Sequence, residues 1–251
     1  MKYVISYALC CDKGRVRRKN QDNFFCDGKL LPAENNGLEK MVSGVVTSAD
    51  GAVFGVFDGM GGEQAGEYAS YIAASVLEKS RESASGSKEK LCSCCLEMNK
   101  AVCSFARENG VRSMGSTACL VNFSDKELHF CNIGDSKIYH LSQGVLLQLS
   151  IDHCLEVAQG KAPLTQFIGV PEEEFIIQPH ITSAQYRKGD RFLICSDGLT
   201  DMVPVGKITE MLDSDKNAQQ CCKALLEAAL GNGGRDNITV LICDIVRKKL
   251  F

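Results

Sequence analysis

Long basic tracts and long hydrophobic runs are both missing from this chain of 251 residues. A formal net charge of −3 at pH 7 provides no positive surface of the kind that nucleic acids or anionic lipids select. No apolar run approaches the roughly 20 residues that a helix needs to cross a bilayer. The composition therefore argues against nucleic acid and membrane as partners, and the length fits one large domain or two small ones.

A recognisable export signal is also lacking, although one lysine and a short apolar run open the chain. No small-residue cleavage site follows this run, and Leu9 is too large for the position before a lipid-modified Cys10. Tyr3, Ile5 and Tyr7 are spaced two apart, which is typical of a strand. We therefore expect a soluble, cytoplasmic protein.

A second CxxC pair is absent, although the chain has 14 cysteines. Without an export signal, reduced thiols are the better expectation. Cys92 and Cys95 have CxxC spacing, so zinc is an alternative, but they lie within a helical pattern and no histidine stands at ligand spacing from them. We expect them to be small core or surface residues. We also expect no cysteine with an arginine at the Cys-x5-Arg spacing of the tyrosine-phosphatase loop, and hence no cysteine nucleophile of that type.

Helical and strand-like patterns occur in consecutive groups. Apolar residues at helical spacing predict a helix from about Glu63 to Glu82, and a polar connector leads to a second helix. After Met114, short apolar runs separated by turn signals predict antiparallel strands. Because helices come in pairs and strands in runs, an antiparallel sheet system covered by helix pairs fits better than a doubly wound parallel sheet.

Three further segments complete the predicted order of elements. We expect a hairpin or loop over residues 27–51 and a strand over residues 174–182. Two short helices are predicted between Val205 and Leu230, before a final strand that begins near residue 237.

Aspartates stand at the ends of four predicted strands: Asp58, Asp135, Asp197 and Asp236. Taken singly, each is more typical of a turn or a helix cap. Strands that share a sheet tend to bring such ends together, and neighbouring carboxylates repel unless a cation neutralises them. Oxygen ligands select Mg²⁺ or Mn²⁺ over zinc. The four residues together therefore predict a metal site.

A basic segment near the start of the chain places Arg17 and Asp22 just before a predicted strand that begins at Phe24. Such a segment is usually a solvated loop. Beside a metal held by carboxylates, however, a planar guanidinium can hold two phosphate oxygens. This arrangement suits the hydrolysis of phosphate monoesters.

Seven short motifs follow one another across nearly the whole chain. They are GRVRRKNQD (14–22), VFDGMGG (56–62), GST (115–117), NIGDS (132–136), DH (152–153), CSDGLTD (195–201) and GGRDNIT (233–239). In this order they resemble the metal-dependent protein phosphatases (PPM, also called protein phosphatase type 2C), in the bacterial form of the family.

The resemblance implies an α+β fold, a four-layer α-β-β-α sandwich of two mostly antiparallel sheets flanked by helix pairs. It implies one catalytic domain over residues 1–251, with two Mg²⁺ or Mn²⁺ ions per active site and a third, weaker site. The implied activity is hydrolysis of phosphoserine and phosphothreonine in proteins by a water that bridges the metals. No covalent enzyme intermediate is required, and the reaction reverses the action of a Ser/Thr kinase.

Matched to the family motifs, several residues acquire implied roles in holding the metals. Asp58 is similar to the carboxylate that bridges the two ions, and the backbone carbonyl of Gly59 to a ligand of the second. Asp197 and Asp236 resemble ligands of the first ion. Asp22 resembles the residue that holds metal-bound waters.

Four further residues match positions around this centre. Asp135, together with Asp197, resembles the third metal site of bacterial members, and Arg17 matches the arginine that binds phosphate. Asp201 and Asn237 are expected to support the site.

The sequence departs from the family pattern at several positions. Gln21 replaces a common glutamate, which removes one outer carboxylate, and Met60 replaces the histidine of eukaryotic members. Lys137 replaces an arginine and keeps its charge. The flap around residues 152–171 is short, and His153 at its start is expected to be structural rather than a catalytic base.

Two alternatives stay open beside the enzyme. A pseudophosphatase would bind phosphoproteins without turnover, but the aspartates that it would be expected to lose are present. A phosphoesterase for small molecules is less consistent with the resemblance and with the lack of a nucleotide-binding glycine loop. The expected partners are therefore phosphorylated proteins, those of a cognate Ser/Thr kinase, and the expected state is a monomer.

Overall fold

The computed structural model describes most of the chain, and all structural statements below refer to residues 3–48, 52–60, 65–84, 88–124, 127–156 and 162–247. The strands are β1 (Tyr3–Asp12), β2 (Asp22–Cys26), β3 (Val42–Thr47), β4 (Ala52–Met60), β5 (Gly115–Ser116), β6 (Ala118–Phe123), β7 (Glu127–Ile133), β8 (Lys137–Ser142), β9 (Val145–Gln148), β10 (His180–Gln185), β11 (Arg191–Cys195) and β12 (Ile238–Arg247). The helices are α1 (Gly66–Ala84), α2 (Lys88–Glu108), α3 (Asp197–Thr200), α4 (Val205–Leu212) and α5 (Ala218–Gly231).

The strands form two antiparallel sheets. The first sheet has the order β3-β1-β12-β11-β8-β9, and the second has the order β10-β7-β6-β4-β2, with β5 paired to β4. The final strand β12 lies between β1 and β11, so the two ends of the described chain meet in the middle of the first sheet.

Apolar side chains fill the space between the sheets. Phe123 on β6 of the second sheet packs edge-on against Phe192 on β11 of the first, with ring centroids 5.4 Å apart. Phe24 and Phe54 are also fully buried in this layer. Burying each ring contributes about 2–3 kcal/mol relative to exposure.

Helices cover the outer faces of both sheets. On the second sheet, α1 and α2 bury Ala73, Leu77 and Met98, and on the first, α4 and α5 bury Ile208 and Leu225. Two helix layers around two antiparallel sheets give four layers in the order α-β-β-α. The α+β fold predicted from the sequence is therefore confirmed.

Two predicted segments differ from the structure. Within residues 27–51, where a hairpin or loop was expected, Val42–Thr47 forms the edge strand β3 and pairs with β1. The strand predicted over residues 174–182 begins later in the structure, as β10, His180–Gln185. Pro179 has no N–H to donate, so it cannot contribute fully to a ladder, and pairing begins after it.

Two other predicted segments lie partly outside the described residues. The helix expected from Glu63 begins at Gly66, and Glu63 itself lies outside the described residues. The short flap also lies partly outside them, at residues 157–161. Cys94 and Cys95 are buried beneath α2, whereas Cys92 is partly exposed. No helix in the described ranges is long and apolar enough to cross a bilayer.

Candidate active site

Carboxylates from both sheets come together at one end of the sandwich. In the second sheet, Asp22 at the start of β2 lies opposite Asp58 on β4. In the first sheet, Asp197 begins α3 directly after β11. Ser196 Oγ and Thr239 Oγ1 each donate a hydrogen bond of 2.7 Å to Asp22 Oδ2. These two bonds tie the second sheet to the first beside the carboxylates.

Asp22 is a buried carboxylate whose hydrogen bonding is incomplete. Its side chain is 1% exposed, and Oδ1 has no hydrogen-bond partner among the described residues. Burial, followed by the charges of Asp197 and Asp236, raises the pKa of Asp22 to about 7, although the bonds from Thr239 and Ser196 oppose the shift. A buried oxygen without a partner, next to other negative charges, is the environment that a cation stabilises.

Asp58 and Gly59 are fixed by close backbone packing. Asp58 N donates to Thr117 Oγ1 over 3.0 Å, and Thr117 N donates to Asp58 O over 2.8 Å. A Cβ at Gly59 would lie 2.2 Å from Gly66 O and 2.5 Å from Gln21 O, so a side chain cannot fit there. This contact brings the start of α1 against the end of β4.

Arg17 lies within the field of the aspartates. Its Nη2 donates to Asp236 Oδ2 over 2.7 Å, and about half of its side chain, 48%, is exposed. Desolvation works against the charged guanidinium, but the bond to Asp236 and the charges of Asp58 and Asp197 prevail and raise the pKa of Arg17. The structure therefore places Arg17 within reach of the charges of Asp58, Asp197 and Asp236.

Asn237 holds the segment that carries Arg17. Its Oδ1 accepts from Gln21 N over 2.8 Å, and its Nδ2 donates to Lys13 O and Lys19 O over 2.8 Å and 2.9 Å. Both ends of the basic segment are thus fastened to the residue that follows Asp236. This explains how an exposed loop can present Arg17 at a defined position.

Asp135 and Asp201 lie at a neighbouring cavity. Asp201 ends the short helix α3, where its N–H donates to Asp197 O over 2.8 Å. The cavity has a volume of about 380 Å³ and is lined by Asp135, Lys137, Asp152, Cys154, Ala162, Asp197, Thr200 and Asp201.

Lys137 and His153 shape the turn that carries Asp135. Lys137 Nζ forms an ion pair with Asp152 and donates to Asp135 O over 3.2 Å. His153 Nδ1 accepts from Gly134 N over 3.1 Å, and His153 N donates back to Gly134 O over 3.0 Å. This reciprocal pair agrees with the structural role expected for His153.

Gln21 brings in a carboxylate that the sequence did not reveal. Gln21 Nε2 donates to Glu67 Oε2 over 3.1 Å, and Lys19 Nζ donates to Glu67 Oε1 over 2.5 Å. Burial would raise the pKa of Glu67, but the bonds from Lys19 and Gln21 outweigh it and lower that pKa. The missing glutamate at position 21 is thus accompanied by a buried glutamate in the first turn of α1.

The aspartate cluster suits a hard divalent cation, although its carboxylates are not arranged as a complete set of metal ligands. In the described part of the chain, no three His, Cys, Asp or Glu side chains stand together at metal-ligand spacing. Asp236 forms an ion pair with Arg17, and Asp22 Oδ2 accepts hydrogen bonds from the hydroxyls of Ser196 and Thr239. The donors are all oxygen atoms, and Asp22 Oδ1 faces no protein donor in the described residues. Mg²⁺ and Mn²⁺ are the ions that such a set fits.

One cysteine does have tyrosine-phosphatase spacing, contrary to expectation: Cys11 and Arg17 match Cys-x5-Arg. Cys11 is buried on β1, and burial followed by the charge of Asp22 raises the pKa of its thiol to about 12. Its Sγ accepts from Thr239 Oγ1 and Asn20 Nδ2. A thiol held neutral and inside the core is no nucleophile at neutral pH.

Sequence reasoning missed the residues that position the aspartates. Ser196, Thr239 and Thr117 lie inside the recognised motifs, and this position was the available signal, although only Ser196 is adjacent to a key aspartate in the sequence. Glu67 carried no such signal, because its contact with Gln21 depends on how α1 packs.

Comparison with known proteins agrees with this geometry. The family model for protein phosphatase 2C matches residues 42–237. The serine/threonine protein phosphatase PstP of Mycobacterium tuberculosis is 30% identical over 97% of this chain, which spans 45% of PstP. The serine/threonine phosphatase Stp of Listeria innocua is 30% identical, with 93% of each protein covered.

A solved structure extends the comparison to the fold. The catalytic domain of PstP, crystallised in complex with two manganese ions, has a TM-score of 0.75 and 28% identity, with 98% of this chain and 100% of that domain covered. The family model covers the segments that carry Asp58, Asp135, Asp197 and Asp236 but begins after Asp22, whereas the match to PstP extends over 97% of this chain. This chain belongs to the protein phosphatase 2C family.

Proposed function

We propose that this chain is a protein phosphatase that hydrolyses phosphoserine and phosphothreonine with two Mg²⁺ or Mn²⁺ ions. The observation that carries the proposal is the buried Asp22, whose Oδ1 lacks a partner in the described residues while aspartates of both sheets surround it. The names of PstP and Stp, and the two manganese ions of the PstP catalytic domain, support the same activity.

The cations would be held by carboxylates of both sheets and one backbone carbonyl. Asp58, the Gly59 carbonyl, Asp197 and Asp236 would bind them directly, and Asp22 would hold their water ligands. When bound, the ions activate water and neutralise the charge that develops on the phosphoryl group. A third, weaker ion would lie at the cavity lined by Asp135 and Asp197.

The chain's own contribution is to bind and orient the phosphate. Arg17 now donates to Asp236 through one nitrogen, and cations on Asp236 would release the guanidinium for two phosphate oxygens. Asn237 keeps the loop of Arg17 in place during this exchange. Phosphate would therefore bind with its reacting face toward Asp58 and its outer oxygens on Arg17.

The cellular setting forms part of the same proposal. The substrates would be the products of a cognate Ser/Thr kinase, and the enzyme would act as a cytoplasmic monomer with one catalytic domain over residues 1–251. The short flap at 152–171 would leave the cleft open.

The test is hydrolysis by the purified chain with Mn²⁺. It should release phosphate from p-nitrophenyl phosphate and from a phosphothreonine peptide, and chelation by EDTA should stop both reactions. Asp58→Asn should lower kcat by more than about a hundredfold, because a carboxylate at the centre is lost. Asp215→Asn, in the exposed turn between α4 and α5, is the matched control and should retain activity.

Three outcomes would contradict the proposal. Activity that survives both EDTA and Asp58→Asn would exclude the metal mechanism. Binding of the phosphopeptide without turnover in any divalent metal would indicate a pseudophosphatase. Faster turnover of a phosphotyrosine peptide would contradict the substrate class.

A further inference from the structure

Two exposed arginines lie on the two segments that carry Arg17 and Asp236. Arg15 lies on the basic segment, and Arg235 on the turn that precedes β12. Arg15 N donates to Gly234 O over 2.8 Å, which fastens the two segments together. Neither arginine forms an ion pair with any of the described residues.

Three other cations around the aspartates are already neutralised, and Arg18, which also has no ion pair among the described residues, lines a separate cavity together with Glu34 and Glu67. Arg17 pairs with Asp236, Lys19 with Glu67, and Lys137 with Asp152. Against these pairs, Arg15 and Arg235 leave two positive charges uncompensated on a chain whose net charge is −3. Their proximity, which the bond from Arg15 N to Gly234 O fixes, is therefore a local feature and not a consequence of overall composition.

A cavity that includes Asp197 has the reverse charge. It is lined by four aspartates and one lysine. A substrate whose phosphate lies on Arg17 would thus have this acidic cavity, where a cation would bind, and the two unpaired arginines as unlike electrostatic surroundings. Such a charge gradient favours one direction of an unevenly charged peptide over the other.

We propose that Arg15 and Arg235 bind an anionic group of the substrate, a carboxylate or a second phosphate, that lies a few residues from the phosphoserine or phosphothreonine. The inference rests on the proposed function. Arg15 is two residues from Arg17, and both segments are anchored, Arg17 to Asp236 and Arg15 to Gly234. An extended substrate advances about 3.3 Å per residue, so an anion within about three positions could reach them.

The experiment compares phosphothreonine peptides of equal length. One has neutral neighbours, two carry glutamates on the N-terminal or the C-terminal side, and two carry a second phosphothreonine at the same places. kcat/KM is measured with Mn²⁺ for the wild type, Arg15→Gln, Arg235→Gln, the double variant and Lys188→Gln. Lys188 lies in the exposed turn between β10 and β11. This turn precedes β11, and the end of β11 that leads to Asp197 is the far one. Lys188 therefore serves as the charge-matched control away from the cleft.

The wild type should prefer an anion on one side over neutral neighbours by about fivefold per arginine at low salt. The preference should approach one in the double variant, persist in Lys188→Gln, and decline at high salt. A gain for glutamate and phosphate alike would identify charge as the determinant, and a gain for phosphate alone would identify bidentate binding by guanidinium.

A wild type that treats all peptides alike, or gains equally from anions on both sides, would overturn the inference. So would a preference that survives the double variant. Hydrolysis of p-nitrophenyl phosphate, measured for each protein, normalises the active enzyme. If the wild type fails on that small substrate with Mn²⁺, the proposed function fails; if it succeeds while the peptide preference is absent, only this inference does.

Discussion

Two buried aspartates at different places in the fold, Asp22 and Asp190, differ in how fully their carboxylate oxygens are hydrogen-bonded. Asp190, which is 4% exposed, accepts from His140 Nε2 over 2.9 Å, from Ser142 Oγ over 2.7 Å and from Arg187 N over 3.0 Å. Both of its oxygens therefore have donors, and one of these residues, Arg187, adds a positive charge. Asp190 is a structural carboxylate that the chain satisfies by itself.

Asp22 is buried as deeply but is left incomplete. Two hydroxyls share one of its oxygens, and the other oxygen has no partner in the described residues. The charges that act on it come from Asp197 and Asp236, which repel it. The contrast shows that burial alone does not mark a ligand site: the informative feature is a buried carboxylate whose donors the chain omits.

The largest effect on stability should come from replacing Asp190, the aspartate whose two carboxylate oxygens both have donors. Asp190→Ala should lower the free energy of unfolding by about 3 kcal/mol, because it leaves buried donors without an acceptor. Asp22→Asn in metal-free protein should be close to neutral or stabilising, since it removes a repelled carboxylate. Urea denaturation with EDTA measures both, and equal destabilisation by the two substitutions would remove the distinction.

The next largest effect separates the serines that serve the two carboxylates. Ser196→Ala should weaken Mn²⁺ binding by about tenfold, because residues that orient metal ligands typically contribute 10–100-fold. Ser142→Ala should instead cost about 1 kcal/mol of stability without affecting the metal. Calorimetric titration with Mn²⁺ and urea denaturation provide the two measurements. A loss of metal affinity in Ser142→Ala would show that the two sites are coupled.

The raised pKa of Asp22, about 7 against an ordinary value of 3.8, predicts an effect on stability that depends on pH. Between these two values the folded protein binds more protons than the unfolded chain, so the free energy of unfolding of metal-free protein should fall as pH rises from about 4 to about 7. Asp22→Asn should lack this contribution. The difference in urea midpoint between wild type and variant should therefore change across the window, and a constant difference would contradict the raised pKa.

The smallest expected effect concerns Gln21. Gln21→Glu would place a second carboxylate against Glu67, with Lys19 as their shared cation, and should cost about 1 kcal/mol of stability. Its effect on Mn²⁺ affinity should stay below about tenfold, because the side chain at position 21 is directed at Glu67. Gln219→Glu, on the exposed face of α5, is a matched control for the added charge. A large gain in metal affinity would show that position 21 faces the cations instead.

The fold class was predictable because both of its signals are local. Apolar periods and the grouping of helices and strands indicate an antiparallel sheet system covered by helix pairs without knowledge of any contact, and the resemblance to the family added the four-layer order. β3 escaped prediction because its exposure does not alternate strongly and Val45 is 64% exposed. β10 was displaced in the prediction because the apolar run at 175–177 precedes the paired segment and Pro179 separates them.

The candidate site was predictable in its charged residues but not in their support. Asp58 and Asp197 can be recognised in the sequence because each begins an Asp-Gly pair after an apolar strand. The bond between Ser196 and Asp22 joins residues 174 positions apart, and no local pattern specifies it. Packing also decides which buried carboxylate lacks a hydrogen-bond donor. The sequence alone therefore could not distinguish Asp22 from Asp190.

The bonds from Ser196 and Thr239 to Asp22 also limit how the molecule can move. Asp22 belongs to one sheet and its two donors to the other, so sliding one sheet over its neighbour would break both bonds at once. Shear between the sheets would also pull the aspartates of the two sheets apart. In the proposed reaction, substrate would therefore enter through motions of the loops around the cleft, with the two sheets held in fixed alignment.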